Sequence, residues 1–216
     1  MRQTRISIGL VALAAILATA GCESAYYSAM ETVGYHKRDI LVDRVEDAMD
    51  AQEEAKAEFE DAFEQFSSVV SVPPSELQDT YEVLKDAFED ARSKAEKVTE
   101  RIDAVESVSD ALFEEWREEI DLIGDRSLRA SSMQQLGESE SRTAELIRAM
   151  RRAEGRMEPV LNTFRDYVLY LKHNLNAQAV ASLEGELAGV EADVSSLIRE
   201  MESSISKARA FVSDME

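Results

Sequence analysis

Stepping alternately by four and three from Leu41 meets Val45, Ala48, Gln52, Ala55, Phe59, Ala62, Phe66 and Val69, with Gln52 the one polar stop. The same stepping from Leu77 meets Tyr81, Leu84, Phe88, Ala91, Ala95, Val98, Ile102, Val105, Ser109, Leu112, Trp116, Glu119 and Ile123, broken only at Ser109 and Glu119. A last run, Leu183, Leu187, Val190, Val194, Leu197, Met201, Ser204, Ala208 and Phe211, is broken only at Ser204. Heptads sustained over this length with charged flanks specify long amphipathic helices that pack against one another. Sustained period-two alternation, which strands need, does not occur. The expected fold class is all-α: an elongated antiparallel helical bundle or coiled coil of four long helices.

The breaks between runs carry their own signals. In "SVPPSELQ", Pro73 and Pro74 stop the first helix, and Ser75 with Gln78 offers a capping box for the second. A connection this short favours antiparallel neighbours. In "IGDRSL", Gly124 suits a left-handed C-cap, and Asp125 or Ser127 an N-cap. The third helix starts weakly through Leu136, Ile147 and Met150, then strengthens through Met157, Leu161, Phe164, Val168, Leu171 and Leu175. Pro159 inside it predicts a kink or a restart. In "KHNLNAQA", Asn174 suits a left-handed cap and Asn176 a new start. Without that turn the chain would be three helices with one long kinked arm; four is the preferred reading. The expected helices span about 39–72, 75–123, 126–174 and 177–214, within a bundle of residues 39–216.

Charge narrows the function classes. The chain carries 24 basic and 44 acidic residues, a net charge of −20. Removing residues 1–21 takes away Arg2 and Arg5 and no acid, which makes −22 of that −20. Such a surface repels nucleic acid, so no nucleic-acid partner is expected. The acids crowd residues 46–64, where Lys56 is the lone base; the bases crowd the third helix, with Arg148, Arg151, Arg152 and Arg156 in "RAMRRAEGR". Sign matching between helices is the first explanation of this asymmetry. An anionic ligand or partner held by the four arginines is the functional alternative.

Reaction chemistry has little to stand on. The two histidines, His36 and His173, and the single cysteine form no metal-ligand spacing. No Gly is followed by Lys, which excludes a G-x-x-x-x-G-K-[ST] phosphate loop and with it a standard P-loop ATPase. The chain is expected to be no enzyme and to need no cofactor, metal or nucleotide. A ligand cleft at the Pro159 kink, near Arg156, Tyr167, Tyr170 and His173, is the runner-up reading, because kinks open bundles.

The first 21 residues read as a secretory signal: Arg2 and Arg5, then the apolar "ISIGLVALAAILA", then small residues. In "ATAGC" those small residues lead to Cys22, the pattern of a lipobox whose thiol is acylated. The rival is an A-x-A site at Ala18-Thr19-Ala20, cut before Gly21. A lone exposed thiol is a liability in an oxidising compartment and lipidation removes it, so the lipobox is favoured. Glu23, not Asp, follows the cysteine; resemblance to other bacterial lipoproteins then implies the outer membrane, facing the periplasm. Residues 22–38 form a juxtamembrane segment. Tyr26, Tyr27 and Tyr35, half of the six tyrosines, with Lys37 and Arg38, suit a membrane–water interface or, equally, packing at the bundle's end.

The lipobox followed by "ESAYYSAMETVGYHKRDILVDRVEDA", then "FSSVV", "RAMRRAEGRMEPVL" and "LKHNLNAQAVASL", resembles the proteobacterial predicted lipoproteins grouped as a domain of unknown function. A "DNA repair ATPase" label associated with that group conflicts with the missing phosphate loop, the acidity and the export signal. The resemblance implies an anchored, all-helical protein and supplies no activity or catalytic residue. The resulting expectation is a non-enzymatic envelope lipoprotein, structural or partner-binding. Its partners would be the membrane, through the anchor, and an unidentified envelope protein.

Overall fold

The computed structural model describes residues 36–73 and 75–215, so the signal-like run, Cys22, Tyr26, Tyr27, Tyr35 and Pro74 lie outside the described residues. Four helices follow one another: α1 (Lys37–Val69), α2 (Leu77–Leu122), α3 (Arg126–Leu171) and α4 (Ala177–Met215). No strand occurs among the described residues. Each helix packs on the next, and α4 closes on α1, which makes an antiparallel four-helix bundle. The heptad stripes are its interior: Val45, Phe59, Phe66, Leu84, Ile102, Met150, Phe164 and Leu197 are fully buried. Phe66 reaches across to the α3 rings, its centroid 6.5 Å from Phe164 and 4.8 Å from Tyr167.

Helix lengths set the shape. At about 1.5 Å per residue, α2 and α3 run about 70 Å and α1 only about 50 Å. The α1 helix begins beside Glu115, whose carboxylate accepts from Lys37 Nζ at 3.0 Å. Arg38 donates to the carbonyl of Met215, so α4 ends at the same level. Beyond that level only the end of α2 and the start of α3 continue, as a two-helix projection. A second small core of Phe113, Ile120 and Leu136, flanked by Trp116, holds it together. Trp116 Nε1 donates to Ser132 Oγ at 3.0 Å. This explains the weak start of the third run, since residues before Leu136 have one neighbouring helix to face where later ones have two.

The turns correct several expectations. The box at Ser75 does not form: α2 begins after Glu76, whose N–H bonds back to the Pro73 carbonyl at 3.0 Å. Gln78 donates instead to Glu82, at 3.0 Å. The first helix stops at Val69, short of residue 72, where Ser71 N–H turns back to the Ser68 carbonyl at 3.0 Å. Gly124 takes no left-handed conformation. The chain leaves α2 extended at Ile123 (φ −72, ψ 115), and the side chain of Arg129 satisfies the free carbonyls of Ile123 and Asp121 at 2.7 and 3.1 Å. Asp125 is the cap of α3, accepting from Ser127 N–H at 2.8 Å and Leu128 N–H at 2.9 Å. Pro159 does not restart the helix, which runs unbroken through it. The carbonyl deprived of its partner is that of Gly155; both residues face water, which can supply the lost bond. Asn176 caps α4 through Oδ1, accepting from Gln178 and Ala179 at 3.0 and 3.1 Å. Four helices, not three, result.

Candidate functional site

Lys37 and Arg38, grouped by sequence with the interface tyrosines, are drawn into the open end of the bundle. Lys37 is 9% exposed and paired with Glu115, and Arg38 reaches the end of α4. Lys37 ties the start of α1 to α2, and Arg38 ties it to the end of α4. Their tyrosine partners Tyr26, Tyr27 and Tyr35, like the acylation candidate Cys22, lie outside the described residues.

The four arginines separate by helical phase. Arg151 faces α2, where Nη2 sits 2.7 Å from Glu106 and 2.5 Å from Asp103, and Nη1 lies 3.0 Å from Glu154 on its own helix. The hydrogen bond to Glu106 chiefly, then those to Asp103 and Glu154, hold the guanidinium firmly in its charged form against partial burial. Arg148, Arg152 and Arg156, four residues apart, form an exposed stripe on the outer face of α3. Three like charges at this spacing repel by a few tenths of a kcal/mol per pair. The other conspicuous cation cluster is Lys94 and Lys97 on α2, both on Glu54 of α1 at 3.0 and 2.9 Å. Their hydrogen bonds, that of Lys97 first, pull the Glu54 carboxyl below its ordinary value.

The residues named around Pro159 do not converge. Arg156, Pro159, Tyr170 and His173 point to solvent. Tyr167 turns inward onto Phe66, and burial pushes its phenol up from the ordinary value. A groove does run along this end, but between α2 and α3, with Tyr81, Phe88, Leu161 and Leu169 in its walls. His36 begins α1 and His173 follows α3, so the two imidazoles sit at opposite ends of the bundle, about 50 Å apart at 1.5 Å per residue along α1. One reaction centre cannot use both. Among the described residues no three His, Cys, Asp or Glu side chains converge as metal ligands, and no helix is long and apolar enough to cross a membrane.

One concavity is a feature that sequence reasoning missed. It lies in the notch where α1 begins and α4 ends against the two-helix projection, and measures about 430 Å³. Leu41, Leu112, Phe113, Trp116 and Met215 give it apolar walls; Arg38, Glu115, Glu119 and Arg142 are its charged rim. The sequence signal was present in the lengths alone, because heptads run to Ile123 in the second helix and nothing in the first helix reaches that far.

No curated protein and no solved structure matches the chain. A family match covers residues 26–215, nearly the whole chain beyond the signal-like run, and the chain belongs to that family, described as a protein of unknown function (DUF2959).

Proposed function

We propose that this is a lipid-anchored, non-enzymatic module of the bacterial envelope, a rigid helical post that presents its faces to another envelope component. The observation that carries the reading is the position of His36. His36, 14 positions after Cys22 in the sequence, precedes α1 at the open end of the bundle. An acyl group on Cys22 would therefore stand the rod on the membrane by one end, with its two-helix projection at the bilayer side. The far turn would then reach about 50 Å outward, the length of α1 at about 1.5 Å per residue. Two or more acyl chains, at about 0.8 kcal/mol per buried methylene, suffice for stable attachment. The outer membrane, periplasmic side, is the proposed location, in keeping with Glu23 after the cysteine.

The exposed stripe of Arg148, Arg152 and Arg156 is the proposed contact for an anionic partner. Among the described residues, the bundle's ion pairs on this helix are made by Arg151 and Arg165 and not by these three. Metabolic labelling with an alkyne fatty acid tests the anchor. Wild-type protein should be labelled and sediment with membranes, and Cys22→Ser should lose both properties. Unlabelled, freely soluble wild-type protein would sink the reading. Crosslinking in intact cells tests the stripe: converting all three arginines to glutamine should remove a partner band that Glu184→Gln leaves in place.

A further inference from the structure

We propose that the groove between α2 and α3, at the closed end of the bundle where α2 begins and α3 ends, binds one long-chain carboxylate, its tail along Tyr81, Phe88, Leu161 and Leu169 and its head between Lys85 and Lys172.

Cations at the other seams of this bundle cross to a carboxylate on the neighbouring helix: Lys56 to Glu202, Lys94 and Lys97 to Glu54, Arg151 to Glu106. The groove is different. Lys85 on α2 and Arg165 and Lys172 on the α3 side all line it, yet among the described residues none of the three meets a carboxylate of the facing helix. Lys85 has only Glu82 and Asp86 of its own helix, at 3.9 and 3.6 Å, and Arg165 only Asp166, at 3.4 Å. Lys172 makes no ion pair among the described residues. The two acids in the lining do not offset this charge. Glu89 is held by Arg92 at 2.5 Å, and Glu158 lies at the opposite end from Lys172 because the helices run antiparallel. Like charges facing one another across a seam repel, and an anion between them turns the repulsion into attraction. The rest of the chain, at net charge −20, holds off a bilayer carrying the same negative sign.

Between these cations the floor is apolar. Tyr81 and Phe88 are buried beneath it, Leu161 is half-buried, and Leu169 stands 53% exposed. The groove holds about 500 Å³, within the range of small-molecule sites, about 300–1,000 Å³. An amphipathic helix is too thick for it: at about 10 Å across, three turns fill more than about 1,000 Å³. From Tyr81 to Arg92 the groove runs about 16 Å at 1.5 Å per residue. One acyl chain has that reach, since two end to end make a hydrocarbon core about 30 Å thick. A two-tailed lipid would leave its second chain in water. Arg156, Tyr170 and His173 take no part in this lining, so the site is not the cleft expected at the Pro159 kink.

The test uses the full chain carrying Cys22→Ala, which removes acylation from the question, and 11-(dansylamino)undecanoate below its micelle concentration. Dansyl emission should rise and shift to the blue, saturate at one probe per chain, and be reversed by dodecanoate. Lys85→Gln with Lys172→Gln should weaken binding about tenfold or more. Leu169→Glu should abolish it with helical circular dichroism unchanged, and Leu122→Glu on the projection should bind as the parent does. Absence of saturable binding by the parent overturns the proposal, as does equal affinity in the parent and both groove variants. Displacement by dodecanol as readily as by dodecanoate overturns it, because the lysines then contribute nothing. A signal that needs added phosphatidylethanolamine–phosphatidylglycerol vesicles overturns it in favour of the bilayer. One that is lost as chains associate at higher protein concentration does so in favour of a second copy. Labelling of Cys22 is read in the wild type alone, so failure of the anchor and failure of the groove are distinguishable.

Discussion

Gln52 interrupts an otherwise apolar stripe, and the structure buries it completely with neither amide atom hydrogen-bonded to protein. Ser204 on α4 is buried and unsatisfied in the same way. Both lie along the α1–α4 seam that the Lys56–Glu202 and Arg209–Glu53 bridges run beside. A buried unpaired amide costs about 1–3 kcal/mol, a cost that coiled coils accept where one polar core residue selects register. Gln52→Leu should therefore raise stability by about 1–2 kcal/mol in denaturant titrations; a loss would mean the amide is satisfied. Arg151 and Arg152 are adjacent and should behave oppositely. Arg151→Gln strands Asp103 and Glu106 beside each other and should cost about 1–2 kcal/mol, against under about 0.5 for Arg152→Gln, whose side chain is exposed. Glu54 sets a pH dependence. Its folded pKa lies below the ordinary 4.5, so the native state binds the proton less readily than the unfolded chain. Its contribution is whole above about 4.5 and fades as pH falls through the folded value. The melting difference between wild type and Glu54→Gln should shrink across that acid range and stay constant above it.

At the scale of the helix, the stripes decide everything that packing decides. Leu84 and Leu197 are both fully buried, on α2 and α4, and truncation of either to alanine should cost about 2–5 kcal/mol. Unchanged melting of both would mean the inward faces are misassigned. Element number, order and inward face were legible because period 3.5 repeats for six or more turns in three of the four runs, and no local accident cancels so long a signal. Helix ends were less legible. A Ser-x-x-Gln sequence and a glycine after the last apolar residue are local cues, and both lost to rival contacts. Glu76 turned back on Pro73, and Arg129 capped the α2 carbonyls from within the next helix. Asp125 and Asn176 were readable because a short side chain bonding two or three residues ahead needs nothing beyond its own turn. The notch escaped notice for a related reason. It is made by a mismatch of helix lengths, and becomes visible only when the ends of α1 and α4 are seen to stop at the same level.

The molecule as a whole is two structures in series, a four-helix rod and a two-helix projection, and they should not be equally stable. In the rod each helix buries a stripe against two neighbours, and the large core runs without interruption from Leu41 to the far turn. The projection has three buried apolar side chains, the Trp116–Ser132 bond and a turn closed by Asp125 and Arg129. Leu122, Leu128 and Met133 on it are largely exposed, at 84%, 65% and 59%. Local opening follows buried apolar contact, so the projection should open without the rod. Hydrogen exchange should show amides of residues 117–132 exchanging at rates set by that local opening, orders of magnitude faster than those of residues 84–105 and 146–164. Phe113→Ala should accelerate exchange in the projection and leave Leu84 and Phe164 protected, because the small core has no redundancy and the large one does not depend on it. Uniform protection along α2 would mean that the whole 46-residue helix opens only with global unfolding. A tip that opens alone can adapt to what it touches while the rod behind it keeps its length.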